Sequence, residues 1–282
     1  MKTRGWFRNG ALAFGLAFLY IPILSMVFFS FNNSRLVTVW DAANSPTLLW
    51  YRKLFANGQI LDAALLSLQI AAMTATGAVI LGTLAGLALV RFGPFRGRAM
   101  LSTMTTAPLV MPEVITGLSL LLLFVALEQL TGWPAGRGVA TITIAHITFA
   151  MAYVTVVVQS RLAGFADSLE EAALDLGAKP AKVFFRITLP LITPALVSGW
   201  LLAFTLSWDD VVISQFVSGP NSTTLPMVIF SKARLGVSPD INALATILVL
   251  IVATGVVLST IWMKRQERRR LLEEQMARSD GG

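Results

Sequence analysis

The sequence predicts an all-α membrane protein with six transmembrane helices and one amphipathic cytoplasmic hairpin. Three observations predict it: the composition, six long apolar stretches, and the positions of the basic residues. The 282-residue chain is 55% hydrophobic and only 13% charged, with a mean hydropathy of +0.72. Soluble domains carry about 25% charged residues, so this composition is typical of a protein embedded in lipid.

Six apolar stretches are each long enough to cross a hydrocarbon core of about 30 Å. They cover approximately residues 11–31, 63–90, 99–127, 140–159, 194–217 and 242–263. The first follows basic residues, and no small-residue cleavage site precedes Asn32, so we expect an uncleaved span rather than a signal peptide. Together the stretches predict a single transmembrane domain over residues 1–282.

Two of these stretches carry internal features. Ala78, Gly82 and Gly86 repeat at every fourth position in the second stretch, a pattern that lets helices approach closely. Pro108 and Pro112 interrupt the third, which is also too long for one straight helix. A broken helix inside a membrane lines protein or a cavity, because lipid cannot satisfy its free backbone groups.

The positions of lysine and arginine predict the topology. With the N-terminus inside, the cytoplasmic side receives 16 of the 22 basic residues. The positive-inside rule therefore predicts cytoplasmic N- and C-termini and a cytoplasmic loop over residues 161–193. This topology also accounts for the net charge of +7, so the basic excess does not require a nucleic-acid partner.

Within that loop, Ser168–Pro190 predicts two short helices joined by a tight turn. Ser168 and Glu171 form the capping-box pattern at the start of the first helix. Gly177 supplies a left-handed residue at its end. Pro180 fits the first turn of the second helix, where its missing N–H costs nothing.

Both predicted helices of this hairpin have an apolar stripe. On the first, apolar residues recur at helical spacing: Leu169, Ala172, Ala173 and Leu176. The second stripe consists of Val183, Phe184 and Ile187. The hairpin is therefore predicted to dock against something.

The chain lacks the residues of several common catalytic sites. It contains no cysteine and no G-x-x-x-x-G-K-[ST] phosphate loop. Its single histidine, His146, lies in the fourth stretch with no second imidazole or thiol nearby, so we expect a buried, hydrogen-bonded helix histidine. We expect that the chain binds neither a metal nor a cofactor and is not an enzyme by itself.

Acidic residues at membrane depth are the candidate substrate contacts. Asp209 and Asp210 lie in the fifth stretch and Glu113 follows the proline pair. An acid at a helix centre costs about 2.5–3.5 kcal/mol to insert, which favours a functional role. Phe204 and Trp208, one helical turn apart, offer aromatic faces to a cation. The alternatives are an acid hydrated near the outer interface and aromatic rings that only pack against neighbours.

The hairpin resembles the EAA loop of ABC importer permeases. The resemblance is carried at the expected spacing by Glu171, Ala172, Ala173, Gly177, Ile187, Leu189 and Pro190. It implies a type I importer permease whose hairpin docks in a cleft on an ATPase subunit. There Glu171 would face a basic residue, and Gly177 would allow the turn.

Four further runs make the sequence similar to the polyamine permeases of that family: FNNSRLVTVW, VRFGPFRG, APLVMPEVITGLSLLLLFVAL and LLAFTLSWDDVVISQFVSGP. The resemblance implies a bacterial inner-membrane subunit that imports polyamine, with putrescine expected first. Its partners would be a second permease, two ATPase subunits that bind ATP and magnesium, and a periplasmic polyamine-binding protein. In the family, an aspartate often stands at the position of Glu113.

Two other classes of transporter remain open on the sequence. Intramembrane acids and a broken helix also suit an ion-coupled secondary transporter, although such a protein has no ATPase for the hairpin to meet. An ABC permease for another substrate, such as spermidine, a metal, sulfate or an amino acid, would share the loop. The acids disfavour anions.

Overall fold

The computed structural model describes residues 3–34, 39–164, 168–235 and 239–279, and every regular element in these ranges is helical. In chain order the helices are α1 (Thr3–Phe29), α2 (Leu49–Phe55), α3 (Gly58–Arg91), α4 (Arg98–Val110), α5 (Glu113–Thr131), α6 (Val139–Ala163), α7 (Ser168–Asp175), α8 (Pro180–Val183), a π-helical turn (Phe184–Thr188), α9 (Leu189–Trp208), α10 (Val212–Val217), α11 (Leu225–Leu235) and α12 (Pro239–Ser279). The predicted all-α class is confirmed.

Five helices of the described chain are long and apolar enough to cross a membrane: Trp6–Phe29, Gly58–Arg91, Glu113–Thr131, Val139–Ala163 and Pro180–Trp208. A shorter apolar segment, Pro239–Gly255, begins α12. These six follow the predicted stretches in order, so the chain is a multi-pass membrane protein. The charges that predict its orientation include Lys2 and side chains beyond residue 265, which lie outside the described part.

The third stretch is broken once, at Met111–Pro112. The helix α4 continues through Pro108 to Val110, and Met111 is extended, with φ −80° and ψ 135°. A residue that precedes proline is driven out of the helical region by contact with the proline ring. The break separates α4 from α5, which continues to Thr131, beyond the expected end at residue 127.

The chain divides into two compact units, the first comprising residues 1–58 and 232–282. In it α1 and α2 both pack against α12. The segment between α1 and α2 is held by Asn32, which is buried and whose carbonyl oxygen accepts a 2.7 Å hydrogen bond from the Trp50 indole. Ser30 and Tyr51 share a 2.6 Å hydroxyl hydrogen bond.

The second unit, residues 59–231, is built around α6, which packs against α4, α9 and α10. Its interior is formed by alanine and branched aliphatic residues of α3, α6 and α9: Ala75, Ala78, Ala150, Val154, Val158, Leu162, Ile192 and Ala203. A Cβ atom on Gly82 would lie 2.9 Å from the Val154 Cβ, and one on Gly86 would lie 3.0 Å from a Val158 methyl group. The closely packed face predicted on the second stretch is therefore confirmed.

Candidate functional site

The hairpin forms its turn as the sequence predicts. Gly177 has a φ of +83°, in the left-handed region that a glycine adopts without penalty. The amide of Gly177 donates to the Leu174 carbonyl oxygen at 2.8 Å, and that of Ala178 donates to Ala173 at 3.0 Å. This pair is the Schellman pattern of a helix C-terminus. Pro180 begins α8, as predicted. The Ser168 side chain lies outside the described residues, so its capping box stays a prediction.

Part of the predicted apolar stripe of the hairpin is exposed. Leu169 and Leu176 lie on that stripe, Leu176 with 90% of its surface exposed, and Leu174 is exposed on the side of α7 that Glu170 occupies. Glu171 and Ala172 are also exposed, whereas Ala173 is half-buried. Exposed leucines on so short a segment are typical of a surface that meets another protein.

The second arm of the hairpin joins the fifth membrane helix without a break. The sequence predicts a separate second arm and a span beginning near residue 194, but α8, the π-helical turn and α9 form one helix from Pro180 to Trp208. Ile187 and Leu189 are half-buried in it, and Leu189 packs against the core of the second unit, while Pro190 is exposed. The motif residues are therefore divided between an exposed turn and a packed arm.

Glu170, which sequence reasoning missed, attaches the hairpin to the rest of the second unit. Its Oε1 atom accepts a 2.8 Å hydrogen bond from the Thr188 hydroxyl and lies 3.4 Å from a guanidinium nitrogen of Arg91. The side chains are only partly exposed, 18% for Arg91 and 23% for Glu170. Nothing in the Glu170–Glu171 pair distinguishes the two acids, since both fit a helix start.

A second candidate region lies at the other end of the same long helix. There the chain leaves α9 at Trp208 and begins α10 at Val212, so the fifth helix stops well before the expected residue 217. We call residues 208–212 the elbow. The sequence predicts both aspartates within one membrane helix. Asp209 and Asp210 belong to the bend instead.

The two aspartates of the elbow have different environments. The Asp210 side chain is 7% exposed, and its Oδ2 accepts a 2.8 Å hydrogen bond from the Ser214 backbone N–H. Its Oδ1 accepts one of 3.2 Å from the Ile213 N–H, so this carboxylate caps α10. Asp209 is exposed, and in the described chain its carboxylate has no hydrogen bond or ion pair with another residue.

His146, on α6, contacts the elbow and the residues on either side of it. It is 3% exposed, and its Nδ1 lies 2.7 Å from the Ser207 hydroxyl. Its Nε2 lies 3.1 Å from both the Asp210 Oδ2 and the Ser214 hydroxyl. The expected buried, hydrogen-bonded histidine is confirmed.

An aromatic ladder leads along α9 to the elbow. The rings of Trp200 and Phe204 stack with centroids 5.3 Å apart, and those of Phe204 and Trp208 with centroids 6.0 Å apart. All three are half-buried. The sequence predicted two of them, and Trp200, one turn earlier at the same spacing, extends the series.

Glu113 is exposed in the first turn of α5, directly after the break at Pro112. Within the described residues its carboxylate forms no hydrogen bond or ion pair, and no contact joins it to the two aspartates. The start of α5, where Glu113 lies, is connected to the elbow by the packing of α5 against α10. A Cβ atom on Gly117 would lie 2.7 Å from the Phe216 ring, so α10 lies tightly against α5 one turn after Glu113.

Comparisons with known proteins identify the family of the chain. Residues 78–271 match the family described as binding-protein-dependent transport system inner membrane component. The chain is 57% identical over 278 residues to the putrescine transport system permease protein PotI of Escherichia coli strain K12, covering 98% of this chain and 97% of that protein. It is 42% identical over 255 residues to the spermidine/putrescine transport system permease protein PotC of the same strain, covering 90% and 92%.

Among solved structures, a bacterial ABC transporter involved in the import of the acidic polysaccharide alginate has a chain with a TM-score of 0.71 to this one. The match covers 93% of this chain and 96% of that one at 15% sequence identity, so it shows a common fold alone. The family match spans more than half of the sequence, and two permeases are related to it over nearly their full lengths. The chain belongs to the family of binding-protein-dependent transport system inner membrane components.

Proposed function

We propose that this chain is the permease subunit of an ABC importer that carries putrescine across the bacterial inner membrane into the cytoplasm. The observation that carries the proposal is the 57% identity to the PotI putrescine permease over 98% of the chain. Its N- and C-termini and the hairpin lie in the cytoplasm, as the lysine and arginine positions predict. The elbow then lies toward the opposite side, from which substrate arrives.

The hairpin couples the permease to an ATPase subunit. Leu169 and Leu176, exposed on the hairpin, fit an apolar cleft, and the exposed Glu171 is available to a basic residue beside it. ATP and magnesium bind to two ATPase partners, and this chain supplies no hydrolytic group. A second permease subunit completes the membrane part, and a periplasmic binding protein delivers the polyamine.

The elbow and the aromatic ladder form part of the substrate path. Putrescine at neutral pH is a flexible dication, which carboxylates attract directly and aromatic faces attract through their quadrupoles. Asp209 is exposed beside the stacked Phe204 and Trp208 rings, so it offers the free carboxylate of the elbow. Glu113, equally exposed at the break in the third stretch, supplies a second negative charge.

The test is uptake of radiolabelled putrescine into proteoliposomes that contain the complete complex, with spermidine as competitor. We expect uptake that requires ATP and stops when the ATPase subunits are omitted. ATP hydrolysis by an intact complex without polyamine uptake would refute the substrate. Uptake without the ATPase subunits would instead support an ion-coupled secondary transporter.

A second candidate substrate is spermidine, favoured by the 42% identity to the PotC spermidine/putrescine permease. The competition measurement separates the two, because an excess of the better substrate suppresses uptake of the other at lower concentration. Replacing the binding protein while keeping this permease then shows which subunit sets the preference.

A further inference from the structure

We propose that His146 is a positioning residue that holds Asp210 in the elbow and thereby keeps Asp209 open to the substrate. The inference rests on the proposed function, since it concerns how a cation-binding carboxylate is presented. It assigns different tasks to two adjacent aspartates and gives the single histidine a role in transport.

The imidazole has a fixed position because its own helix is rigidly packed. His146 lies in the interior of α6, beside the fully buried Ala145 and one turn before Phe149. These residues belong to a core cluster with Ile213 and Val217 of α10. The ring therefore projects from a packed helix toward the elbow.

From this position the ring joins three consecutive parts of the chain. Ser207 is in the last turn of α9, Asp210 is in the elbow, and Ser214 is in the first turn of α10, all within 3.1 Å of a ring nitrogen. A neutral imidazole satisfies the set when Nε2–H donates to the Asp210 carboxylate and Nδ1 accepts the Ser207 hydroxyl proton. The histidine thus ties both sides of the bend to one point.

The elbow is also held from outside its own sequence. Trp-Asp-Asp-Val-Val contains no glycine or proline, and its turn-forming residues are the two aspartates, of which Asp210 caps α10. Among the described residues, His146 is the side chain from outside residues 207–214 that hydrogen-bonds to residues 207–214. The bend therefore combines a local cap with a contact from a helix about sixty residues away in sequence.

The two carboxylates therefore have different roles: Asp210 holds the bend, and Asp209 is left open to the substrate. Asp210 uses its oxygens on the imidazole and on two backbone amides, so it is withheld from solvent. Asp209 follows the last helical turn and faces outward. Without the imidazole, the buried Asp210 carboxylate would lose its hydrogen bond from α6 and turn toward water, which would move Asp209 with it.

The experiment compares His146→Leu, His146→Gln and Thr141→Val in the complete reconstituted complex. Thr141 is a matched control, because its hydroxyl also links α6 to α10, through a 2.7 Å hydrogen bond to the Val217 carbonyl, but away from the elbow. We expect His146→Leu to lower ATP-dependent putrescine uptake by about tenfold, the loss typical of one hydrogen bond to a charged group. His146→Gln should restore part of it, because its amide nitrogen reaches the position of Nε2.

A second measurement does not depend on transport. The chain has no cysteine, so Asp209→Cys introduces a single thiol into it. We expect a cationic thiol reagent to label this position at a rate that His146→Leu changes several-fold and Thr141→Val leaves unchanged. Equal labelling in the histidine and control variants would overturn the proposal.

These outcomes separate the two proposals. A wild-type complex that does not take up putrescine, yet shows the His146-dependent labelling, refutes the substrate and supports the positioning role. Normal uptake by an assembled His146→Leu complex refutes the positioning role alone. If His146→Leu does not assemble, His146→Gln decides. Glutamine restores the contact only in part, so a labelling rate that differs from that of the Thr141→Val control supports the proposal, and a rate equal to that control overturns it.

Discussion

Replacing Glu170 by alanine should release the hairpin from the rest of the second unit without disturbing the surface that, under the proposed function, meets the ATPase. Glu170 is on the inner side of α7, where it accepts from Thr188 at 2.8 Å and pairs with Arg91 at 3.4 Å. Its neighbour Glu171 lies about 100° further round the helix and is exposed. The change therefore separates attachment of the hairpin from docking of the ATPase.

The expected size follows from the two contacts. A hydrogen bond to a charged group contributes about 1.5–3 kcal/mol, and a partly exposed ion pair contributes at most about 1 kcal/mol. The loss of both is about 3 kcal/mol, or roughly a hundredfold in the ratio of attached to released hairpin. Glu170→Gln keeps an acceptor for the Thr188 hydroxyl, so it should lower the ratio of attached to released hairpin by about tenfold or less.

Hydrogen–deuterium exchange of the α7 amides in the complex measures this ratio directly. We expect faster exchange in Glu170→Ala, together with fewer putrescine molecules imported per ATP hydrolysed. Asp175→Ala is the matched control, since Asp175 is an exposed acid on the same helix without a side-chain partner among the described residues. If the α7 amides exchange at the same rate in Glu170→Ala and Asp175→Ala, the Glu170 contacts contribute no free energy to attachment of the hairpin, and the prediction is wrong.

Three further outcomes follow from the geometry. Gly177→Ala should weaken ATPase co-purification about tenfold, because a left-handed residue with a side chain costs about 1–2 kcal/mol, although the added methyl group meets no neighbour within 4 Å. Asp210→Asn should lower the melting temperature of the purified complex. Asp209→Asn should leave that temperature unchanged and reduce uptake about tenfold; equal effects of the two on stability would contradict their different burial. Leu176→Ser, which changes an exposed side chain, should reduce ATPase retention while membrane insertion stays normal, as measured by the amount of permease in the membrane fraction.

Features set by short-range chemistry could be predicted from the sequence. The turn at Gly177 and the helix start at Pro180 depend on backbone preferences of single residues, and both occur where expected. The close approach of α3 to α6 follows from small residues at every fourth position, because only Gly82 and its neighbours on that face leave room for Val154. In each case the residue type alone excludes the competing structures.

Features set by distant partners could not be predicted. The elbow has no glycine or proline, and the side-chain contact that reaches it from another helix comes from His146, which the sequence shows only as an isolated histidine. Glu170 and Glu171 are equivalent in pattern, and their side chains point about 100° apart on a helix. Which of them faces Thr188 depends on the rotation of α7 about its own axis relative to the rest of the second unit. The local sequence does not predict that rotation.

The continuity of the helix from Pro180 to Trp208 relates the two candidate regions to each other. Prolines at 190 and 194 remove amide donors from this segment, yet the chain stays helical through a π-helical turn, where the Leu189 amide reaches back to the Phe184 carbonyl oxygen. The result is one element of 29 residues, about 43 Å long, with the Gly177 turn before its start and Asp209 directly after its end. Under the proposed function, a displacement imposed on the hairpin therefore reaches the elbow through a single helix.

The π-helical turn is the place where that helix can bend. The last residue of this turn is Thr188, whose hydroxyl donates to Glu170. Attachment of the hairpin and flexing of the helix thus meet at one residue, which is why loss of the Glu170 contact should reduce coupling rather than abolish insertion.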